Sequence, residues 1–260
     1  MKMLKPMRWL GFFLFVLSHS AFAEPCAPSA TTQSAQVRYV IDADTVVLES
    51  GERVRLLGVD APELGRNGQP DEPYAREGKK WLEGVLRDHG NRVLLQYGQE
   101  TKDRYGRSLA YLFLPDGTNL QRRLLSDGWV MQVHVAPNLE FAECLAPFER
   151  LAEQQAKRIW SQSEYSPGLL SSAIPDSVRG AAIVRGKVVR VGQSAEFLWI
   201  NLEGGVALQI RRSDLPRFDS LSLDQIEGKT LRVRGWLIRE NARHHKIRIR
   251  VEHPLAIQLL

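Results

Sequence analysis

Ile41-Asp-Ala-Asp-Thr45, followed by Arg53-Val-Arg-Leu-Leu-Gly-Val-Asp-Ala-Pro-Glu63, is the stretch from which the fold of this chain is read. Its β-branched and apolar residues predict one strand over Val40–Leu48 and a second over Val54–Val59, joined as a hairpin through Ser50-Gly51. Alternation along the second strand puts Val54, Leu56 and Gly58 on one face and Arg55, Leu57 and Val59 on the other. Arg55 therefore points the same way as two apolar residues. A guanidinium in that position needs an anionic partner, because an unpaired buried charge is strongly destabilising. Pro62 has no N–H to give a sheet and steers Ala61 away from helix, so the strand ends near Asp60. Reversal of the chain there brings Asp60 and Glu63 back toward Asp44. Converging hard oxygens of this kind suit Ca²⁺ or Mg²⁺. Each of these carboxylates taken alone also fits the simpler role of a solvated turn former.

A second polar turn, Asp103-Arg-Tyr-Gly-Arg107, follows further along. Together, Ile41-Asp-Ala-Asp-Thr-Val46, Arg55-Leu-Leu-Gly-Val-Asp-Ala-Pro-Glu63 and Asp103-Arg-Tyr-Gly-Arg-Ser-Leu-Ala-Tyr111 resemble the motifs of the staphylococcal nuclease (thermonuclease) family, over roughly residues 36–161. The resemblance implies a mainly β, α+β fold: an OB-type barrel with three helices. It also implies hydrolysis of DNA and RNA phosphodiesters, single strands favoured, with little sequence selectivity and 3′-phosphate products. By the same resemblance Asp44, Asp60 and the backbone carbonyl of Ala61 hold Ca²⁺, with Mg²⁺ as an alternative, and Asp42 supports them from behind. Glu63 orients or deprotonates the attacking water, and Arg55 and Arg107 stabilise charge on the phosphate oxygens. Arg104 and Tyr105 lie where the family holds a terminal phosphate of the nucleotide. Where the family usually places base-stacking aromatics, this chain has His134 and Ala136, leaving His134 as the substrate-contact candidate.

Residues 1–23 read as a secretory signal peptide: Lys2, Lys5 and Arg8, an apolar core over Trp9–Leu17, and the small-x-small site Ala21-Phe22-Ala23. That core is shorter than the ~20 residues a membrane span needs. An exported protein is expected, periplasmic or secreted by host, with no membrane span in the mature chain and an uncleaved anchor as the alternative. An oxidising compartment would allow Cys26 and Cys144 to pair and tie the N-terminal arm to the last helix of the barrel; two free thiols are the alternative.

The expected order is an extended leader (24–36), a nuclease domain (37–161), a Ser/Pro-rich linker (162–178) and a small OB-like β domain (179–260). Within the nuclease domain, Asp71-Glu72-Pro73 opens a helix, Trp129–Val135 is strand-like, and Pro147–Trp160 is the closing helix, with Leu151 on its inward face. Arg66, in the loop after Glu63, is a further basic residue for a phosphate or for solvent.

Beyond the linker, Ile183–Val191, Glu196–Leu202, Val206–Arg211, Thr230–Arg239 and Lys246–Glu252 read as strands, with a short helix around Leu221–Ile226. Charge is unevenly divided: residues 24–160 hold 17 basic and 20 acidic side chains, residues 179–260 hold 15 and 8. The net charge of +7 in the second region favours a polyanionic partner. Arg232, Arg234, Arg248 and Arg250 recur at spacing two, so each pair shares a sheet face that, with Trp236, His244 and His245, is a candidate surface for single strands. Against the enzyme stands a binding module of the cell envelope, for nucleic acid or protein, whose catalysis has lapsed.

Overall fold

The computed structural model describes residues 24–65, 68–240 and 242–260; the signal-peptide reading and Arg66 fall outside them. Among the described residues no helix is long and apolar enough to cross a membrane.

The chain turns where alternation predicts continuity. Val40–Leu48 is not one strand: β1 (Gln33–Asp42) ends and β2 (Thr45–Leu48) returns antiparallel beside it, pairing Asp42 with Thr45. The cause is a side chain. Asp42 Oδ1 accepts the Asp44 N–H at 3.1 Å, an Asx-type turn that no hydrophobic pattern displays. The second expected strand is also divided. Gly58 adopts φ 75°, so β3 (Arg53–Leu56) stops, and the short β4 (Val59–Asp60) pairs instead with β7 (Met131–Gln132). Only those two residues of the strand-like run Trp129–Val135 pair.

With β5 (Arg92–Lys102) and β6 (Ser108–Phe113) these strands close a barrel in the order β1-β2-β3-β6-β5, with β3 parallel to β6. Val46, Val54, Leu56, Leu95, Ala110 and Leu112 fill it. α1 (Ala75–Asp88) follows Tyr74, which has left-handed backbone (φ 70°), and Asp71 does not cap it. The Asp71 carboxylate instead accepts from the Gly65 N–H and pairs with Arg76, closing the preceding loop. α2 (Leu120–Ser126) is capped by Asn119, whose side chain accepts the Arg122 N–H.

The closing helix α3 runs Ala142–Gln154 and contains Pro147 rather than starting on it; a separate 3-10 turn covers Arg158–Ser161. Leu151, expected inward, is 50% exposed, whereas Glu149 on the same helix is 4% exposed. Cys26 and Cys144 are joined by a disulfide, which fixes the N-terminal arm to α3.

The segment expected as a plain linker contains a helical turn at Glu164–Gly168 and β8 (Leu169–Leu170), which pairs in parallel with β9 (Ala181–Gln193). β9, β10 (Phe197–Leu202), β11 (Val206–Arg211), β12 (Thr230–Arg239) and β13 (Ile247–Arg250) close a second barrel, and β14 (Ile257–Leu259) extends β12. Its ring order, β9-β10-β11-β13-β12, with β11 parallel to β13, repeats the connectivity of the first. The fold is thus α+β and mainly β, built on two small five-stranded barrels. Short 3-10 turns at Arg212–Leu221 and Leu223–Gln225 stand in place of the helix expected near Leu221.

The barrels pack on each other. Ile183 of β9 joins a cluster with Met131, Val133, Ala152, Ile159 and Trp160. Arg232 pairs with Glu153 at 2.6 Å and Arg234 with Glu149 at 2.5 Å, both guanidinium groups lying beside the Trp160 ring. These two arginines belong to the contact between barrels, which corrects their placement on an open nucleic-acid face. The inward turn of Glu149 now has its reason: a buried carboxylate is stable there because Arg234 and the Gln132 N–H meet it.

Candidate active site

The divided hairpin creates the site. Because the chain reverses at Ala43-Asp44, Asp44 is brought opposite the β3–β4 junction rather than lying in mid-strand. Its Oδ2 accepts the Ala61 N–H at 2.7 Å and lies 3.0 Å from Arg55 Nη1; its Oδ1 accepts from Thr45 Oγ1 at 2.9 Å. Arg55 is 11% exposed. Nη1 also donates to the carbonyls of Leu56 and Val59, and Nη2 to Asp60 Oδ1 at 2.7 Å. One guanidinium thus holds two aspartates and two carbonyls, fixing the kink made by Gly58. Arginine suits this better than lysine, since only its planar fork reaches four acceptors at once.

Negative charge exceeds positive charge here. Burial works against a charged Arg55, but the carboxylates of Asp44, Asp60, Asp42 and Glu63 outweigh it and raise its pKa. Asp60 is held above the usual carboxylate range, first by burial and then by its acidic neighbours Asp44, Glu63 and Glu72, against the pull of Arg55. Asp42 is raised too, by burial and by Asp44. Glu63 is exposed, and its backbone is tied on both sides to Glu72: its N–H donates to Glu72 Oε2 at 2.9 Å and its carbonyl accepts the Glu72 N–H at 3.0 Å.

Among the described residues no three carboxylate, imidazole or thiol side chains converge as a ready-made cage. The donors that do meet, Asp44 and Asp60 about Arg55, are hard oxygens in a field of surplus negative charge. That chemistry fits a divalent cation bound by a few protein oxygens with water completing its shell.

Arg107 lies in the β5–β6 turn. Asp103 Oδ1 accepts the N–H groups of Tyr105 and Arg107, and Oδ2 pairs with Arg107 Nε at 2.7 Å. These bonds and the Arg107 guanidinium hold the Asp103 pKa below the usual range, against burial. The exposed Tyr105 ring lies against two guanidinium groups, with Arg104 at 4.7 Å and Arg107 at 5.6 Å from its centre. Arg104, Tyr105 and Arg107 therefore form one basic, aromatic turn.

His134 does not join it. It is 9% exposed and stacks at 5.1 Å on His253 of the second barrel, and neither ring nitrogen has a hydrogen-bond partner. Its assignment as a substrate contact is corrected: the second barrel covers it. Sequence reasoning also missed Tyr165, whose pKa is raised by burial and then by the charges of Glu72, Asp60 and Glu164. The connection between the barrels thus passes within electrostatic reach of the acidic cluster, and nothing in its Ser/Pro-rich composition signals that.

The family described as Staphylococcal nuclease homologue matches residues 53–162, ending before the second barrel. The chain is 30% identical over 151 residues to a thermonuclease of Staphylococcus hyicus, covering 56% of this chain and 87% of the relative. It is 32% identical over 133 residues to a thermonuclease of Staphylococcus intermedius, covering 50% and 77%. An endonuclease of Bacillus subtilis, YncB, is 33% identical over 134 residues, covering 48% of this chain and 60% of its own. The chain belongs to the staphylococcal nuclease family.

Proposed function

We propose that this chain is an exported nuclease that hydrolyses DNA and RNA with little sequence selectivity, favours single strands, and leaves 3′-phosphate ends. The observation that carries the reading is the placement of two guanidinium groups by carboxylates: Arg55 by Asp44 and Asp60, Arg107 by Asp103. Positively charged donors fixed before substrate arrives stabilise charge as it develops on a phosphate, without reorganisation during the reaction. In the reaction water adds to phosphorus, the bond to the 5′-oxygen breaks, and that oxygen takes a proton from solvent water, balancing the one that the attacking water gives up. Glu63, exposed beside Arg55, accepts the proton of the attacking water. Arg107 binds the non-bridging oxygens through its two Nη groups, its Nε being held by Asp103, and Arg55 adds the donors not used on Asp44, Asp60 and the two carbonyls. Arg104 and Tyr105 bind a flanking phosphate. Asp44, Asp60 and the Ala61 carbonyl would hold Ca²⁺, or Mg²⁺ in its place, and Asp42 keeps Asp44 oriented through its N–H. Such an ion supplies Lewis acidity and a template for the phosphate. Export is supported by the disulfide between Cys26 and Cys144, since such bonds persist in oxidising compartments.

End-group analysis of a digested single-stranded oligonucleotide tests this reading. Products with 3′-phosphate and 5′-hydroxyl termini, formed with Ca²⁺ and abolished by chelator, are expected. Products with 5′-phosphates, or digestion indifferent to chelator, would contradict it.

A further inference from the structure

With Arg232 and Arg234 committed to the first barrel, the second barrel still presents a different face outward. Its core takes Leu198, Ile200, Leu208, Ile210, Ile247 and Ile249. Alternation then puts Phe197 and Trp199 of β10, Arg211 of β11, and Arg248 and Arg250 of β13 on the outer side of three adjacent strands. The register ranks them across the sheet: Phe197 stands opposite Arg211, Trp199 opposite Gln209, and Gln209 opposite Arg250.

The rings form a connected platform. Phe197 meets Trp199 edge to face at 5.9 Å and 63°, and His245 lies 5.5 Å from Trp199 at a tilt of 34°, so the three rings touch while offering separate faces. Glu240 organises its edge, contacting His245 at 2.6 Å and Arg248 Nε at 2.9 Å, while Arg248 Nη1 donates to Gln209 at 3.0 Å. That carboxylate is neutralised by its own partners, so the exposed Arg211 and Arg250 leave the face positive.

A chain of contacts runs from this face toward the β5–β6 turn. Arg250 is 3.8 Å from Glu252, which accepts the Ala136 N–H at 2.9 Å. Two residues on, the Asn138 side chain accepts from the Glu100 N–H and donates to the Glu100 carbonyl, on the strand that leads into the Asp103–Arg107 turn.

We propose that this outer face of β10, β11 and β13 is a second contact for single-stranded nucleic acid, stacking bases on Trp199, Phe197 and His245 and pairing phosphates with Arg211 and Arg250, while Glu240, held by Arg248, fixes His245. Flat rings set among guanidinium groups match a strand with unpaired bases, since each base offers a π-face and each linkage a charge. The proposal rests on the nuclease reading for its biological sense but not for its test.

The test uses residues 24–260 with chelator present, titrated against fluorescein-labelled dT20 by anisotropy between 0.05 and 0.3 M NaCl. The unaltered chain is expected to bind with an affinity that falls steeply with salt. Arg211→Glu combined with Arg250→Glu, both exposed changes, should weaken binding by about tenfold or more and reduce the salt slope by about 1 to 1.5. Trp199→Ala should weaken it by about tenfold; near-ultraviolet circular dichroism and thermal melting confirm that each variant is folded. With Ca²⁺ restored, cleavage of a small chromogenic phosphodiester should be unchanged in the double variant while KM for long single strands rises. Binding of dT20 that is the same in the folded double variant overturns the proposal. So does a double variant that loses binding to phosphatidylglycerol vesicles alone. A chain that binds dT20 through this face and cuts nothing upholds the proposal and overturns the nuclease reading.

Discussion

Arg55 shows how much a single residue discloses through its neighbours in sequence. A guanidinium among apolar residues demands anions, and candidate anions stand close by in the chain; the fold delivers Asp44 and Asp60 to it. Changing Arg55 to Gln leaves buried carboxylates without their counter-charge, and loss of one partner of a buried pair costs about 3–5 kcal/mol. Urea denaturation of Arg55→Gln should therefore show a lower midpoint, and Ca²⁺ should recover part of the loss by supplying positive charge to Asp44 and Asp60. An unchanged midpoint would mean that Arg55 is not what holds the kink. His134 is the opposite case. Its neighbours in sequence suggest an open substrate contact, and the residue that covers it, His253, is 119 positions away. Pattern reading cannot supply a contact of that range.

At the scale of elements, strand existence is legible in the sequence and strand ends are not. The run Val40–Leu48 has the composition of a continuous strand, and a single hydrogen bond from Asp44 N–H to Asp42 turns it into two. In α3 the apolar period places Leu151 inward, whereas the buried position goes to Glu149, because a cation on the other barrel makes burial of the carboxylate stable. The arm before β1 is also held by partners that its composition hides: Gln96 Oε1 accepts the Ser29 N–H at 3.0 Å, and Cys26 is bonded to Cys144. The disulfide closes a separation of 118 residues, for which chain entropy gives about 4–5 kcal/mol. Replacing both cysteines by Ser should lower the unfolding free energy by up to that amount while leaving cleavage below the melting temperature intact. A variant as stable as the parent would show that the arm is held without the bond.

The whole molecule is two barrels of one connectivity joined by buried ion pairs and stacked imidazoles, and that joint is the least legible feature. The spacing of Arg232 and Arg234 announces a shared face and cannot say what lies against it. Arg234→Ala should cost about 3 kcal/mol or more by stranding Glu149. Arg250→Ala, on an exposed residue, should cost less than about 1 kcal/mol. Equal losses in urea denaturation would contradict the assignment of the two faces.

The joint also responds to pH. His134 is held well below the usual histidine range by burial, by Arg234 and by His253; His253 is lowered by burial and by Arg217, against Glu143. Depressed histidines bind fewer protons folded than unfolded. Their contribution is therefore unaffected at high pH, and stability is lost as pH falls below the unfolded value of about 6.5. The fall in melting temperature between pH 7.5 and 5.5 should be smaller in His134→Phe than in the parent, and equal falls would remove His134 as the source of the pH response.

Arg55 and Arg107, placed by aspartates on the first barrel, are proposed to act on a phosphodiester. The most direct measurement is cleavage of single-stranded DNA by residues 24–260 with Ca²⁺, alongside Arg107→Ala and a chelated control. Cleavage by the parent, absent with chelator and lower by about 10²-fold or more in kcat for the variant, is the expected result. An Arg107→Ala chain that is folded and cuts at the parent rate, or a folded parent that cuts under no condition, would contradict it.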